Sequence, residues 1–166
     1  MSPLDWATRP LKKYADFSGR APRAEFWWFY LLLLITVVVA SIIDSIIGSK
    51  LFGPYGIVAC LAYLALLLPY IAVAVRRLHD TDRTGWWMAP PIVLGVISMV
   101  MMGPALADPT ATSNPAAMTG MGTASIILLL ALIIGLVVLV FFLLSGTKGP
   151  NKYGDDPYAE GASRAM

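Results

Sequence analysis

Residues 124–144 read ASIILLLALIIGLVVLVFFLL, an apolar run with no charged residue. At 1.5 Å per residue, a helix of this length covers roughly 30 Å, the thickness of a bilayer's hydrocarbon core. The run does not alternate with period two, which disfavours a barrel strand, and lipid offers backbone N–H and C=O groups no partner. The segment must therefore be a membrane-spanning helix. Comparable runs occur from Phe26 to about Ile47, from Tyr55 to Val75 and from Trp86 to about Leu106. The expected architecture is all-α: a bundle of four transmembrane helices over about 26–47, 55–75, 86–106 and 124–144, forming a single domain over 1–157.

Composition excludes the alternatives. Of 166 residues, 58% are hydrophobic and 13% charged, about half the charged share of a soluble domain. A soluble fold of this length has too little interior to hide so much apolar surface. Intrinsic disorder is incompatible with low charge and high apolarity, and a disulfide scaffold with a single cysteine, Cys60. The net charge of +2 implies no nucleic-acid partner. The first run is not a signal peptide: its apolar core is too long, a long charged segment precedes it, and no small-residue cleavage site follows.

The basic residues orient the chain. Arg9, Lys12, Lys13, Arg20 and Arg23 precede the first run; Arg76, Arg77 and Arg83 separate the second and third; Lys148, Lys152 and Arg164 follow the fourth. With alternating helices, all of these fall on one side, and only Lys50 falls on the other. The positive-inside rule then puts both termini in the cytoplasm. Trp6, Trp27, Trp28, Trp86 and Trp87 lie on the same side, and the pairs Trp27-Trp28 and Trp86-Trp87 read as an interfacial aromatic belt.

Within the spans, no Asp, Glu, Lys, Arg or His occupies a midplane, which speaks against a charge-coupled transporter. Asp44 falls at the outer boundary as a wetted or capped group, with Lys50 its nearest cation in sequence. Pro69 removes a helical hydrogen bond and frees the carbonyl near Ala65. Gly95 and Gly135 could admit close helix contact, and Tyr63 and Tyr70 offer polar tips. The stretch 103–123 reads as a long outer loop whose one charge is Asp108.

Chemistry concentrates on the inner side, in FSGRAPRAEFWW (17–28), RRLHDTDRTGWW (76–87) and GTKGPNKYGDDP (146–157). Two arrangements fit the same residues. Arg20, Arg23, Arg76, Arg77, His79 and Asp80 could form a face for an anionic headgroup or a partner protein. Alternatively, the arginines could pair internally with Glu25 and Asp80 to fix the helix ends, with Asp82 and Arg83 as further ion-pair or capping residues. A lone His79 with Asp80 and Asp82 after it is a weak metal site, and no cofactor is expected. At the N-terminus, Leu4, Ala7, Leu11 and Tyr14 form a stripe beside Lys12 and Lys13, predicting a short interfacial helix with a break or a restart at Pro10. The tail over 158–166 is expected to be disordered.

The three inner motifs, with the DW…LKKYADF stretch and the position of Asp44, resemble the family catalogued as domain of unknown function 805, the YhaH-like small bacterial inner-membrane proteins. The resemblance runs from about Asp5 to Pro157. It implies a multi-helix inner-membrane protein with cytoplasmic ends, and it supplies no activity, substrate or catalytic residue. The stretch 103–123 is longer than is usual in that family. The leading functional expectation is a non-enzymatic membrane component whose basic, Trp-rich face binds anionic phospholipid or a membrane protein partner, a second copy of the chain being one such partner. The rivals are an oligomeric small-solute transporter or channel subunit and an enzyme acting on a lipid headgroup.

Overall fold

Each apolar run becomes a helix whose ends are decided by the polar residues beside it. A computed structural model describes residues 2–49, 56–107 and 113–158. They form α1 (Pro3–Lys12), α2 (Arg23–Ile47), α3 (Ile57–Asp80), a 3-10 turn (Gly85–Met88), α4 (Ala89–Ala107) and α5 (Pro115–Leu143). Four helices are long and apolar enough to cross a membrane. No strand occurs among the described residues.

The chain divides into two compact units. One holds α1, α2, α3 and the segment from Ser145; the other spans Gly85–Leu144. In the first, α2 and α3 pack antiparallel. Asp44, near the end of α2, accepts hydrogen bonds from Val58 N at 3.0 Å and Ala59 N at 2.8 Å, the first-turn donors of α3. Ser49 Oγ accepts from Ile57 N at 3.1 Å. The start of α3 is thus capped by the neighbouring helix, which satisfies groups that lipid cannot. A Cβ at Gly56 would overlap the Asp44 carboxylate, so glycine is required there. Lys50 lies outside the described residues. At the opposite end, Arg76 of α3 pairs with Glu25 of α2. Nineteen residues separate Glu25 from Asp44, about 28 Å of helix. The two polar ties therefore bracket one hydrocarbon thickness.

The short N-terminal helix is built by a capping box. Ser2 Oγ accepts from Asp5 N, and Asp5 Oδ2 accepts from Ser2 N. The Ser2 N–H, and then the Ser2 hydroxyl, which also donates to Oδ2 at 2.8 Å, hold Asp5 below the usual carboxylate range. The helix does not break at Pro10, contrary to the sequence reading, and continues to Lys12. Pro10 forfeits one hydrogen bond to Trp6 O, but its ring is fully buried and only two helical residues follow it. Ala7 and Pro10 are the buried residues of α1, while Leu4 remains 75% exposed. Pro69 frees Ala65 O, and the Tyr14 hydroxyl donates to that carbonyl.

In the second unit, α4 begins after the tryptophan pair, and Pro90 and Pro91 fall in its first turn, where an N–H has no helical acceptor anyway. The stretch 103–123, expected as a loop, is helical at both ends: α4 runs to Ala107 and α5 starts at Pro115. Asn114 caps α5 by accepting from Ala116 N at 3.0 Å. Thr119 and Thr123 donate to the carbonyls four residues before them, so these polar side chains are satisfied within the helix. The buried residues of α5 are Ala124, Ala131, Val138 and Phe142, the first three spaced by seven and the last by four, as packing along one helix face favours. The glycines are not pressed. A Cβ at Gly95 would meet nothing within 4 Å, and one at Gly135 would make an ordinary 3.9 Å contact with Pro91. Ile126, Leu132 and Leu136 are each more than half exposed, an outer surface suited to hydrocarbon and not to water.

Candidate functional site

Charged residues flank α2 and α3 where both helices leave the apolar region, and the fold folds them inward. Arg20, Glu25, Arg76, Arg77 and Asp80 are all buried. Two carboxylates organise them. Glu25, in the first turn of α2, accepts from Arg76 Nη1 through Oε1 at 2.7 Å, and its Oε2 lies 3.5 Å from Arg9 Nε of α1. Asp80, the last residue of α3, accepts from Arg20 Nε through Oδ1 at 3.0 Å and pairs with Arg77 through Oδ2. Charges removed from water survive only when paired and hydrogen-bonded.

The C-terminal segment completes the Asp80 cluster. Arg20 Nη1 donates to Gly149 O at 2.6 Å, and Nη2 donates to Thr147 O. Thr147 N donates to Asp80 O at 2.8 Å, and Asn151 Nδ2 to His79 O at 2.9 Å. These bonds satisfy carbonyls that the end of α3 leaves open. A Cβ at Gly146 would overlap the Asp80 carboxylate, so the glycine after Ser145 is demanded by contact. Gly149, at φ +75°, turns the chain where other residues are strained. Asp156 accepts from Gly149 N and Tyr158 N, both at 3.0 Å. These two N–H groups, that of Tyr158 foremost, hold its carboxyl below the usual range. Asp16 is lowered likewise, chiefly by the Ser18 hydroxyl and then by the Ser18 N–H.

Arg20, Arg76, Arg77, His79 and Asp80 thus come together. Arg23 lies beside them, half-buried, with Nη2 donating to Ser145 Oγ at 2.9 Å. His79 stacks on Tyr153 with centroids 3.9 Å apart, and its Nδ1 faces Gly19 O at 3.2 Å. Arg83 does not continue the α3 face; the helix ends at Asp80, and Arg83 Nη1 donates to Thr81 O at 2.9 Å. Asp82 turns out to the surface at φ +57° and pairs with Lys152 at 3.6 Å. Trp27 sits edge-on to Phe26 at 5.2 Å, and Trp28 is exposed. Tyr70 joins this aromatic group, 6.1 Å from Phe26. Trp86 and Trp87 belong to the second unit, where Trp87 meets Phe141 edge-on at 5.3 Å and Trp86 is 80% exposed. Sequence reasoning missed Arg9, Thr147, Gly149, Asn151 and Tyr153. The glycine-rich spacing of 146–154 was their signal for the C-terminal segment, whereas Arg9 had none.

These features define a helical membrane protein in which a clamp of buried ion pairs fixes the ends of two spans. Residues 14–155 match the family described as Protein of unknown function (DUF805). The chain belongs to that family. It is 34% identical over 154 residues to the Inner membrane protein YhaI of Escherichia coli (strain K12), covering 93% of this chain and 96% of that protein. It is also 31% identical over 157 residues to the Inner membrane protein YhaH of the same strain, covering 95% and 99%. The Uncharacterized protein YiiR of that strain is 31% identical over 143 residues, 84% of each chain. No solved structure matches.

Proposed function

We propose that this chain is a non-enzymatic component of the bacterial inner membrane, with both termini in the cytoplasm, whose basic end holds anionic phospholipid or a partner with anionic groups. The observation that carries the reading is a charge imbalance. At one end of the α2–α3 pair, three buried arginines (Arg20, Arg76, Arg77) stand against two buried carboxylates, Glu25 and Asp80. At the margin Arg9, Lys13 and Arg23 add three cations against the carboxylates of Asp16 and Asp156. A positive excess at the level where apolar helices end favours the phosphate layer of a bilayer. The exposed Leu4 and Leu11 of α1 suit the neighbouring acyl region. The positive-inside pattern supports the orientation, and the relatives' names support the inner membrane.

The test is native mass spectrometry of the gently extracted protein after equilibration with mixed phosphatidylglycerol and phosphatidylcholine. Preferential retention of phosphatidylglycerol, or a co-purifying protein released by salt, is the expected outcome. A bare chain that takes up both lipids equally and carries no partner rejects the reading.

A further inference from the structure

The two buried carboxylates differ in how fully they engage the arginines around them. At Asp80 the account closes: every nitrogen of the Arg20 guanidinium has an acceptor, in Asp80, Gly149 and Thr147. Arg77 is fully buried and paired with the same carboxylate. Neither has an edge to offer a ligand. At Glu25 the account stays open. Arg76 is fully buried and donates from Nη1 to Glu25 Oε1. Its Nε and Nη2 meet no hydrogen-bond acceptor among the described residues, and Glu25 Oε2 accepts no hydrogen bond there.

Those two nitrogens are not arbitrary. Nε and Nη2 form one edge of the planar guanidinium, with parallel N–H groups spaced to grip two oxygens of one oxyanion. The charges at this edge are Arg76, Arg9 and Glu25, and the Lys13–Asp16 pair, whose acid also feels Arg76, adds no net charge; one positive charge is left, which a phosphodiester balances. Asp80 and its partners are committed elsewhere.

We infer that the Nε/Nη2 edge of Arg76 is the phosphate-recognising element of this protein, gripping one phosphate group bidentately with Arg9 of α1 beside it. This rests on the anionic-lipid reading above and narrows it to one residue. Glu25 acts as a positioning residue, fixing the guanidinium plane through Nη1. The edge is enclosed, and α1 packs on both α2 and α3 while burying Ala7 and Pro10. A phosphate reaching this edge has to displace part of that packing. The group could belong to a lipid headgroup or to free phosphate, since the edge reads the oxyanion alone.

The full-length protein in detergent would be offered three probes: phosphatidylglycerol, inorganic phosphate, and a neutral glucosyl diacylglycerol that lacks phosphate. Arg76→Lys keeps the charge but has no bidentate edge. It is expected to melt near the wild-type temperature while retaining phosphatidylglycerol at least tenfold more weakly. Lys152→Ala, at the surface, should retain it as wild type does. The glycolipid should bind neither form specifically. A wild-type melting temperature raised by inorganic phosphate, and not by chloride at equal ionic strength, would name free phosphate as a ligand. A rise with phosphatidylglycerol alone would name the lipid. A folded Arg76→Lys that retains phosphatidylglycerol like wild type overturns this inference and leaves the broader reading standing. A wild type that binds no phosphate-bearing probe, because water fills the edge, overturns this inference together with the lipid form of the broader reading. Should Arg76→Lys fail to fold, Arg9→Gln decides: retention at least fivefold weaker supports the site, and unchanged retention rejects it.

Discussion

A buried guanidinium needs acceptors on all its edges, and the cost of removing one carboxylate falls on every arginine that shares it. Asp80 serves both Arg20 and Arg77. Asp80→Ala should therefore destabilise the protein by about 3–5 kcal/mol, the range for an orphaned buried charge. Lys152→Ala breaks the half-exposed pair with Asp82 and an exposed cation–π contact with Tyr153 and should cost about 1 kcal/mol. Melting of the two variants in the same detergent compares them directly. Equal losses would mean that the Asp80 cluster is wetter than its burial indicates. Arg77, which reads from sequence as a binding residue, is committed to Asp80 in the same way. Sequence could bring the arginines and acids to one end through charge and spacing. It could not say which carboxylate each arginine meets, because Glu25 and Asp80 are far apart in the chain and only folding sorts the pairs.

At the scale of elements, the N-terminal segment is held by a defect in α3. Pro69 leaves Ala65 O without its helical donor, and Tyr14 supplies one. Tyr14→Phe should free the segment, seen as faster cleavage by added protease, at a cost of about 1 kcal/mol. With Pro69→Ala, residue 69 gains an N–H for that carbonyl, so Tyr14→Phe should then cost little. A double-mutant cycle measures the coupling; strictly additive effects would separate the tyrosine from the proline. The proline and its open carbonyl were legible in sequence, since the rule is local. The donor was not, because Tyr14 sits 51 residues away in a segment whose stripe suggested only a membrane-facing role. The helical ends of 103–123 were missed for a related reason. Thr, Met and Ala there lack the apolar density of a span, yet Asn114 and the threonine back-bonds suffice to carry α5 forward.

For the molecule as a whole, the four spans were readable because lipid imposes length and apolarity on every crossing segment. The division into two units was not, since exposed apolar surface looks alike wherever it packs. The proposed orientation predicts a pattern of reporter activity. Alkaline phosphatase fused after Tyr158 should be inactive, whereas the same enzyme inserted at Ser113, between α4 and α5, should be active; the reverse pattern would reject cytoplasmic termini. The ties at the two ends of α2 and α3 carry a further meaning. Glu25 must face Arg76 while Asp44 faces the first turn of α3, so the number of residues between them is as constrained as their identity. One inserted or deleted residue would swing one tie about 100° off its partner. This hairpin can exchange one leucine for another almost freely, but it cannot change its count, and its evolution should run through substitutions within a fixed length.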